Sequence, residues 1–198
     1  MKFRAYDLIA QVIPGYVVIA VLDYFFDITF IDIASLSSVV IAYVVGYYLN
    51  TLSSWMEGVY FFFWRGVPST KLLQDQGYWN VRLYESVAIR ESLLDDTGSE
   101  NPAFQFATAL DAVSDGSNPR VQEFNESYSF SRGMLTCALV ISVVVLTSEM
   151  EVNFITVFLL VLLVLISSIR AKQRAYYYVR EVLATYWNLK KQQSNQAG

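Results

Sequence analysis

Four long apolar stretches, separated by two short polar turns and one long polar segment, dominate the pattern of this chain. Leu8–Phe26, Ile33–Trp55, Gly133–Thr147 and Val152–Ile169 contain 19, 23, 15 and 18 residues. At about 1.5 Å of rise per residue, the first, second and fourth approach the roughly 30 Å of a bilayer core. The third is short, and an N-terminal extension with Arg132 reaching toward headgroups lengthens it. One such run alone also fits a buried core helix. Four within 198 residues predict an all-α integral membrane protein with four transmembrane helices in two hairpins, helices 3 and 4 extending into a cytosolic helical domain. The expected organisation is a first hairpin over 1–55, a cytosolic helical segment over 56–132, a second hairpin over 133–169, and a cytosolic C-terminal helix and tail over 170–198.

Within the second stretch, Ser38, Ala42, Gly46, Asn50 and Ser54 recur every four residues, forming one stripe of small or polar side chains. In lipid, small residues let helix backbones approach closely, and an asparagine can hydrogen-bond across the contact. The stripe fits packing against another span of the same chain first, and a subunit contact or a pore-facing surface second. Asn50 is its most polar member. The run Phe158–Ile166 in the fourth stretch has no polar side and is expected to face lipid or a wholly apolar neighbour. Pro14-Gly15 is expected to bend the first helix, because proline removes a backbone donor and crowds the preceding turn.

The polar segment also reads as helical. The aromatic run Tyr60–Trp64 either prolongs the second span or lies at the interface, and Gly66-Val-Pro68 ends it. Leu83, Val87 and Leu94 suggest an amphipathic helix that Gly98 breaks. Asn101-Pro102 is a cap followed by proline at the first helical position. From there Ala103, Phe106, Ala107, Leu110 and Val113 share a face until Asp115-Gly116. Asn118-Pro119 repeats the start signal, and an unbroken helix is predicted from Pro119 to about Thr147. In the tail, Ala175, Tyr178, Val179, Val182, Tyr186 and Leu189 mark an apolar face on a helix continuing out of the fourth span.

Charge placement adds orientation. Lys2 and Arg4 precede the first span, Arg65 and Lys71 follow the second, Arg120 and Arg132 precede the third, and Arg170, Lys172 and Arg174 follow the fourth. The turns Asp27–Asp32 and Ser148–Asn153 carry acids and no cation. All 14 lysines and arginines thus fall on one side, the cytosolic side by the positive-inside rule. This predicts a membrane protein with cytosolic N- and C-termini. Asp7, Gln11 and Pro14 interrupt the first stretch and no small-x-small cleavage site follows, so it reads as a retained anchor. Residues 56–132 carry 6 basic and 11 acidic side chains, and residues 170–198 carry 6 basic and 1 acidic. Docking of the tail onto the loop is one consequence; contact of the tail with anionic lipid is the other.

Composition narrows the chemistry. The chain is 55% hydrophobic and 16% charged, with no histidine, a single cysteine (Cys137) and a net charge of −4. The commonest general base and metal ligand is missing, and no cysteine cluster exists. No phosphate-binding glycine loop or activated serine appears. Asp95-Asp96 beside Thr97-Gly98 reads as loop chemistry, and Asp111 and Asp115 as solvated carboxylates. No catalytic residue, cofactor or metal is therefore expected, and the acidic balance argues against direct nucleic-acid binding.

Tyr6-Asp7-Leu8 with Ile13-Pro14-Gly15, followed by Tyr43-Val-Val-Gly46, Asn50 and Ser53-Ser54, resembles small prokaryotic membrane proteins of antiviral loci. Among them are the four-span accessory proteins beside RNA-targeting CRISPR nucleases. The resemblance covers about the first 70 residues and carries over no binding residue. It implies a non-enzymatic partner or effector in phage defence. The function expected is an oligomeric inner-membrane accessory or effector protein that answers a cytosolic protein or small signalling ligand and permeabilises the membrane. The alternative is a passive anchor or scaffold that recruits a soluble partner. The expected partners are the lipid bilayer, further copies of the chain, and that cytosolic protein or ligand.

Overall fold

The structure, a computed structural model, describes residues 5–26, 35–114, 118–148 and 153–197. The expectations placed on Lys2, Arg4, Asp27–Asp32, Asp115-Gly116, Glu149 and Glu151 lie outside the described residues. The described chain is all-helical: α1 (Ala5–Phe26), α2 (Leu36–Trp55), α3 (Glu57–Phe63), α4 (Pro68–Leu73), α5 (Ser86–Thr97), α6 (Pro102–Val113), α7 (Pro119–Thr147) and α8 (Phe154–Ala197). No strand occurs among these residues, only a single bridge between Tyr78 and Val81. Three helices, α2, α7 and α8, are long and apolar enough to cross a membrane. The apolar described part of α1, Ala10–Phe26, is shorter than the roughly 20 residues a span needs.

The chain divides into two compact units. The first comprises residues up to Glu57 together with Ser129–Ala171, and the second Gly58–Tyr128 together with residues from Lys172 onward. Helices α7 and α8 each contribute residues to both.

In the first unit, α1 and α2 approach backbone to backbone. A Cβ on Gly46 would lie 1.8 Å from the Gln11 carbonyl oxygen, and one on Gly15 1.8 Å from that of Ala42. Only glycine allows this separation. Around it Val18, Leu49, Cys137, Ile141 and Val145 form a core, with Val21, Leu22, Phe25, Val45, Val140 and Leu160 against it. The Cys137 thiol donates to the Pro14 carbonyl at 3.6 Å. By contrast, the apolar part of α8 leaves Phe154, Ile155, Phe158, Leu159, Val161, Leu165 and Ile166 exposed.

The second unit is built round the C-terminal half of α8. Tyr176, Val179, Val182, Leu183 and Tyr186 pack with Leu72 and Leu73 of α4, Ile89 and Leu93 of α5, Ala109 and Val113 of α6, and Val121 of α7. Val81 and Leu83 reach this core from the turn after α4. Tyr78 stacks on Tyr176, their centroids 5.2 Å apart. Asn101 caps α6 by accepting the Ala103 N–H, and Gly98 ends α5 in the left-handed region at φ 59°. Pro119 opens a helix that continues without interruption to Thr147.

Three local expectations change. The aromatic run does not prolong α2, because the chain turns at Met56 and begins a separate helix at Glu57. In α5 the buried positions are Ser86, Ile89 and Leu93, while Val87 is exposed and Leu83 precedes the helix. The helix starts only after Glu85, whose φ of 60° redirects the chain. In α6 Val113 is buried and Phe106 and Leu110 pack against the same core, as the pattern predicts, but Ala103 and Ala107 are exposed and Gln105 and Ala109 are buried in their stead. Gln105 tolerates burial because its side-chain amide donates to the Ser99 carbonyl at 2.9 Å.

Candidate functional site

The stripe on α2 serves two kinds of contact within the first unit. Ala42 and Gly46 are buried where α1 crosses, and Ser38 is buried with its hydroxyl donating to the Ser35 carbonyl at 2.6 Å. Toward the other end the polar members join a network with α7. Asn50 Oδ1 accepts from Ser129 at 3.2 Å. Arg132 donates through Nε to Ser53 at 3.3 Å and through Nη2 to the exposed Ser54 at 2.8 Å. Its Nη1 lies 3.0 Å from Glu57. The Arg132 side chain keeps only 12% of its surface exposed and ties α7 to the end of α2. Ser53, Glu57, Ser129 and Arg132 belong to this cluster and the four-residue period misses them. A signal was present: Glu57 is the first charge after the apolar stretch of α2, and Arg132 the last before that of α7.

A second polar constellation lies in the second unit, where the tail meets α5. Tyr186 donates to Asp96 at 2.6 Å, and Lys190 reaches the other oxygen of the same carboxylate at 2.7 Å. Lys191 bonds Glu85 at 2.7 Å, and the Trp187 indole N–H donates to that carboxylate too. Asp95-Asp96 therefore belongs to the last turn of α5 rather than to a loop, and Asp96 is a docking residue. Burial raises the Asp96 pKa, but hydrogen bonds from Lys190 and Tyr186 and the Lys190 charge outweigh it and leave the group low. The Lys191 hydrogen bond, then that of Trp187, holds Glu85 low. Burial and donation to Asp96 push the Tyr186 phenol up to about 12. The acidic loop and basic tail thus meet as ion pairs, the first of the two consequences their charges allowed.

Beside these contacts lies a cleft of about 330 Å³ lined by Arg82, Tyr84, Arg120, Arg180, Trp187 and Lys191, together with Glu85 and Glu181. Glu181 is held by Arg120 at 2.9 Å, and Glu85 by Lys191. Among the described residues no carboxylate pairs with Arg82 or Arg180; the Arg180 guanidinium lies 5.0 Å from the Tyr177 ring centroid. The cleft therefore offers two unneutralised guanidiniums beside an indole, a setting for a small anion with an aromatic part. Among the described residues no group of three or more His, Cys, Asp or Glu side chains could hold a metal ion.

These features define an all-helical chain with three helices of membrane-spanning length, a polar network at the end of one helix pair, and a basic cleft in a separately packed unit. No family model, curated protein or solved structure matches the chain.

Proposed function

We propose that the chain is a non-enzymatic, oligomeric accessory or effector protein of the bacterial inner membrane. In this reading α1, α2, α7 and the first part of α8 are four spans in two hairpins, with both termini cytosolic. A cytosolic anionic ligand, or a protein presenting one, occupies the Arg82–Arg180 cleft, and binding alters the bundle until the membrane leaks. The observation that carries the reading is continuity: α7 and α8 each place side chains in both units without a helix break, Val121 in one core and Cys137 and Ile141 in the other. The exposed apolar face of α8 supports contact with lipid and with further copies. Phage defence is the setting that the first 70 residues suggest.

The test is membrane potential, read by a voltage-sensitive dye in cells producing the full chain before and after phage challenge. Challenge should depolarise these cells, and the double substitution Arg82→Gln/Arg180→Gln should abolish the response. A potential that stays intact under every challenge defeats the effector reading.

One observation favours a passive anchor instead. Ala42 and Gly46 are filled by α1, so that part of the stripe offers no free face to a pore or a second copy. The anchor reading expects a soluble partner to co-purify through residues 56–132, and Asn50→Leu to leave permeability unchanged.

A further inference from the structure

The Arg82–Arg180 cleft already holds an anion, and that anion belongs to the chain. Glu85 lines the cleft, where its carboxylate is bound by the Lys191 ammonium at 2.7 Å and by the Trp187 indole N–H. The residue stands at the N-cap of α5, a position whose side-chain oxygen ordinarily accepts from the first turn of its own helix. Here it makes no capping hydrogen bond. Its backbone lies in the left-handed region, at φ 60° and ψ 31°, and the carboxylate goes to the tail instead. The other carboxylate of the cleft is placed differently. Glu181, held at 2.9 Å by Arg120, keeps only 10% of its side chain exposed, whereas Glu85 keeps 51% and its partner Lys191 48%. An ion pair so open to water holds weakly. Glu85 is therefore the carboxylate that an incoming anion can displace.

The seat it occupies has a definite chemistry. Lys191 and the indole N–H supply two donors, and Arg82 and Arg180 line the same cleft with guanidiniums whose planar forks match the oxygens of a phosphate. Both arginines are positioned. The Arg180 guanidinium lies 5.0 Å from the Tyr177 ring centroid, and the Arg82 stem runs along Gly77, where a Cβ would meet its Cγ at 3.0 Å. Arg82, Arg120, Arg180 and Lys191 outnumber Glu85 and Glu181, so the cleft keeps a positive excess suited to a phosphate monoester dianion. Trp187 and the exposed Tyr84 add aromatic walls. The volume of about 330 Å³ lies at the small end of ligand clefts and suits one ring system with one phosphate.

We propose that the cleft binds a phosphate monoester of a ring-bearing small molecule, of nucleoside monophosphate size, whose phosphate replaces the Glu85 carboxylate on Lys191 and Trp187. Glu85 is an internal competitor that fills the seat until the ligand arrives. Binding cuts the Glu85–Lys191 tie between loop and tail and leaves the Asp96–Lys190 tie in place. Because the site is the anion-binding cleft, the assignment rests on the function proposed above; the ligand's class and the carboxylate it displaces are new.

The experiment titrates the detergent-solubilised full chain with the common ribonucleoside monophosphates, phenyl phosphate and inorganic phosphate, read by isothermal titration calorimetry. At least one ring-bearing monoester should bind about tenfold more tightly than inorganic phosphate, the gain expected from stacking one ring on an aromatic side chain. Glu85→Gln should tighten that binding about fivefold, because the seat is no longer occupied. Lys191→Gln should weaken it, although it breaks the same ion pair. Opposite shifts from the two partners are the signature of displacement; a purely structural pair would shift both the same way. Arg82→Gln/Arg180→Gln should abolish binding. Unchanged or weaker binding by Glu85→Gln would overturn the displacement. Absence of binding, or inorganic phosphate binding as tightly as every monoester, would overturn the ligand class. If Arg82→Gln/Arg180→Gln abolishes depolarisation in challenged cells while none of these probes binds, this assignment alone falls. If the probes bind as expected and the membrane potential stays intact under every challenge, the effector reading alone falls.

Discussion

Replacing Gly46 by alanine adds one methyl group at the point where α1 and α2 touch. The new Cβ would lie 1.8 Å from the Gln11 carbonyl oxygen, whereas ordinary contact begins at 3.4 Å. The obstacle is backbone and cannot rotate away, so the helices must separate by about 1.6 Å, the difference of those two distances. Overpacking of this kind costs about 3 kcal/mol at the upper end of its usual range. The better helix propensity of alanine offsets about 1 kcal/mol. A net loss of about 2 kcal/mol follows, roughly thirtyfold in the unfolding equilibrium. Gly133 supplies the control, since it lies in the same unit, on α7, and a Cβ there meets nothing within 4 Å. Gly133→Ala should stabilise by up to about 1 kcal/mol. The assay is reversible unfolding of the detergent-solubilised full chain by sodium dodecyl sulfate, followed by circular dichroism. If Gly46→Ala matches wild type or Gly133→Ala, the close approach of α1 and α2 is wrong.

Three further outcomes follow from the same contacts. Glu57→Gln removes the carboxylate charge 3.0 Å from the largely buried Arg132 guanidinium and should destabilise the first unit by about 1–3 kcal/mol, less than for a fully buried pair because Glu57 is partly exposed; the same unfolding titration measures it. The raised pKa of Tyr186 makes its contribution complete below the unfolded value of 10.0, and that contribution is lost as pH rises toward about 12. An alkaline titration followed by tail proteolysis should show release in this window, and Tyr186→Phe, which cannot ionise, should lose the pH dependence there. Leu183→Ala removes a fully buried side chain at the centre of the second core and should cost about 2–5 kcal/mol, seen as faster amide exchange across α5 and α6.

Helix existence and helix ends were legible along the chain because they depend on neighbours in sequence. Asn101-Pro102 starts α6, Gly98 stops α5, and the absence of any breaker after Pro119 lets α7 run to Thr147. Apolar length likewise marks α2, α7 and α8 as helices able to span a bilayer. Which face each helix buries was not legible where apolar residues surround the axis. In α6 the sequence pattern favours Ala103, Phe106, Ala107, Leu110 and Val113; Phe106, Leu110 and Val113 do meet the core, but docking exposes Ala103 and Ala107 and buries Gln105 and Ala109 instead. A buried glutamine carries no hydrophobic signal; its burial depends on an acceptor, the Ser99 carbonyl, that only the folded chain places there.

Charge told a similar story at longer range. The opposite signs of loop and tail were plain from composition, but their meeting was not. Asp96–Lys190 and Glu85–Lys191 join residues about a hundred positions apart, and no local pattern distinguishes such a pair from cations resting on lipid. The four-residue stripe on α2 was visible because a helix repeats its faces regularly. Its partners, α1 at Ala42 and Gly46 and α7 at Asn50 and Ser54, were set by tertiary packing. The local sequence thus determined which segments are helical and how long they run. The tertiary structure decided which surfaces meet, because such contacts depend on groups that sequence spacing does not bring together.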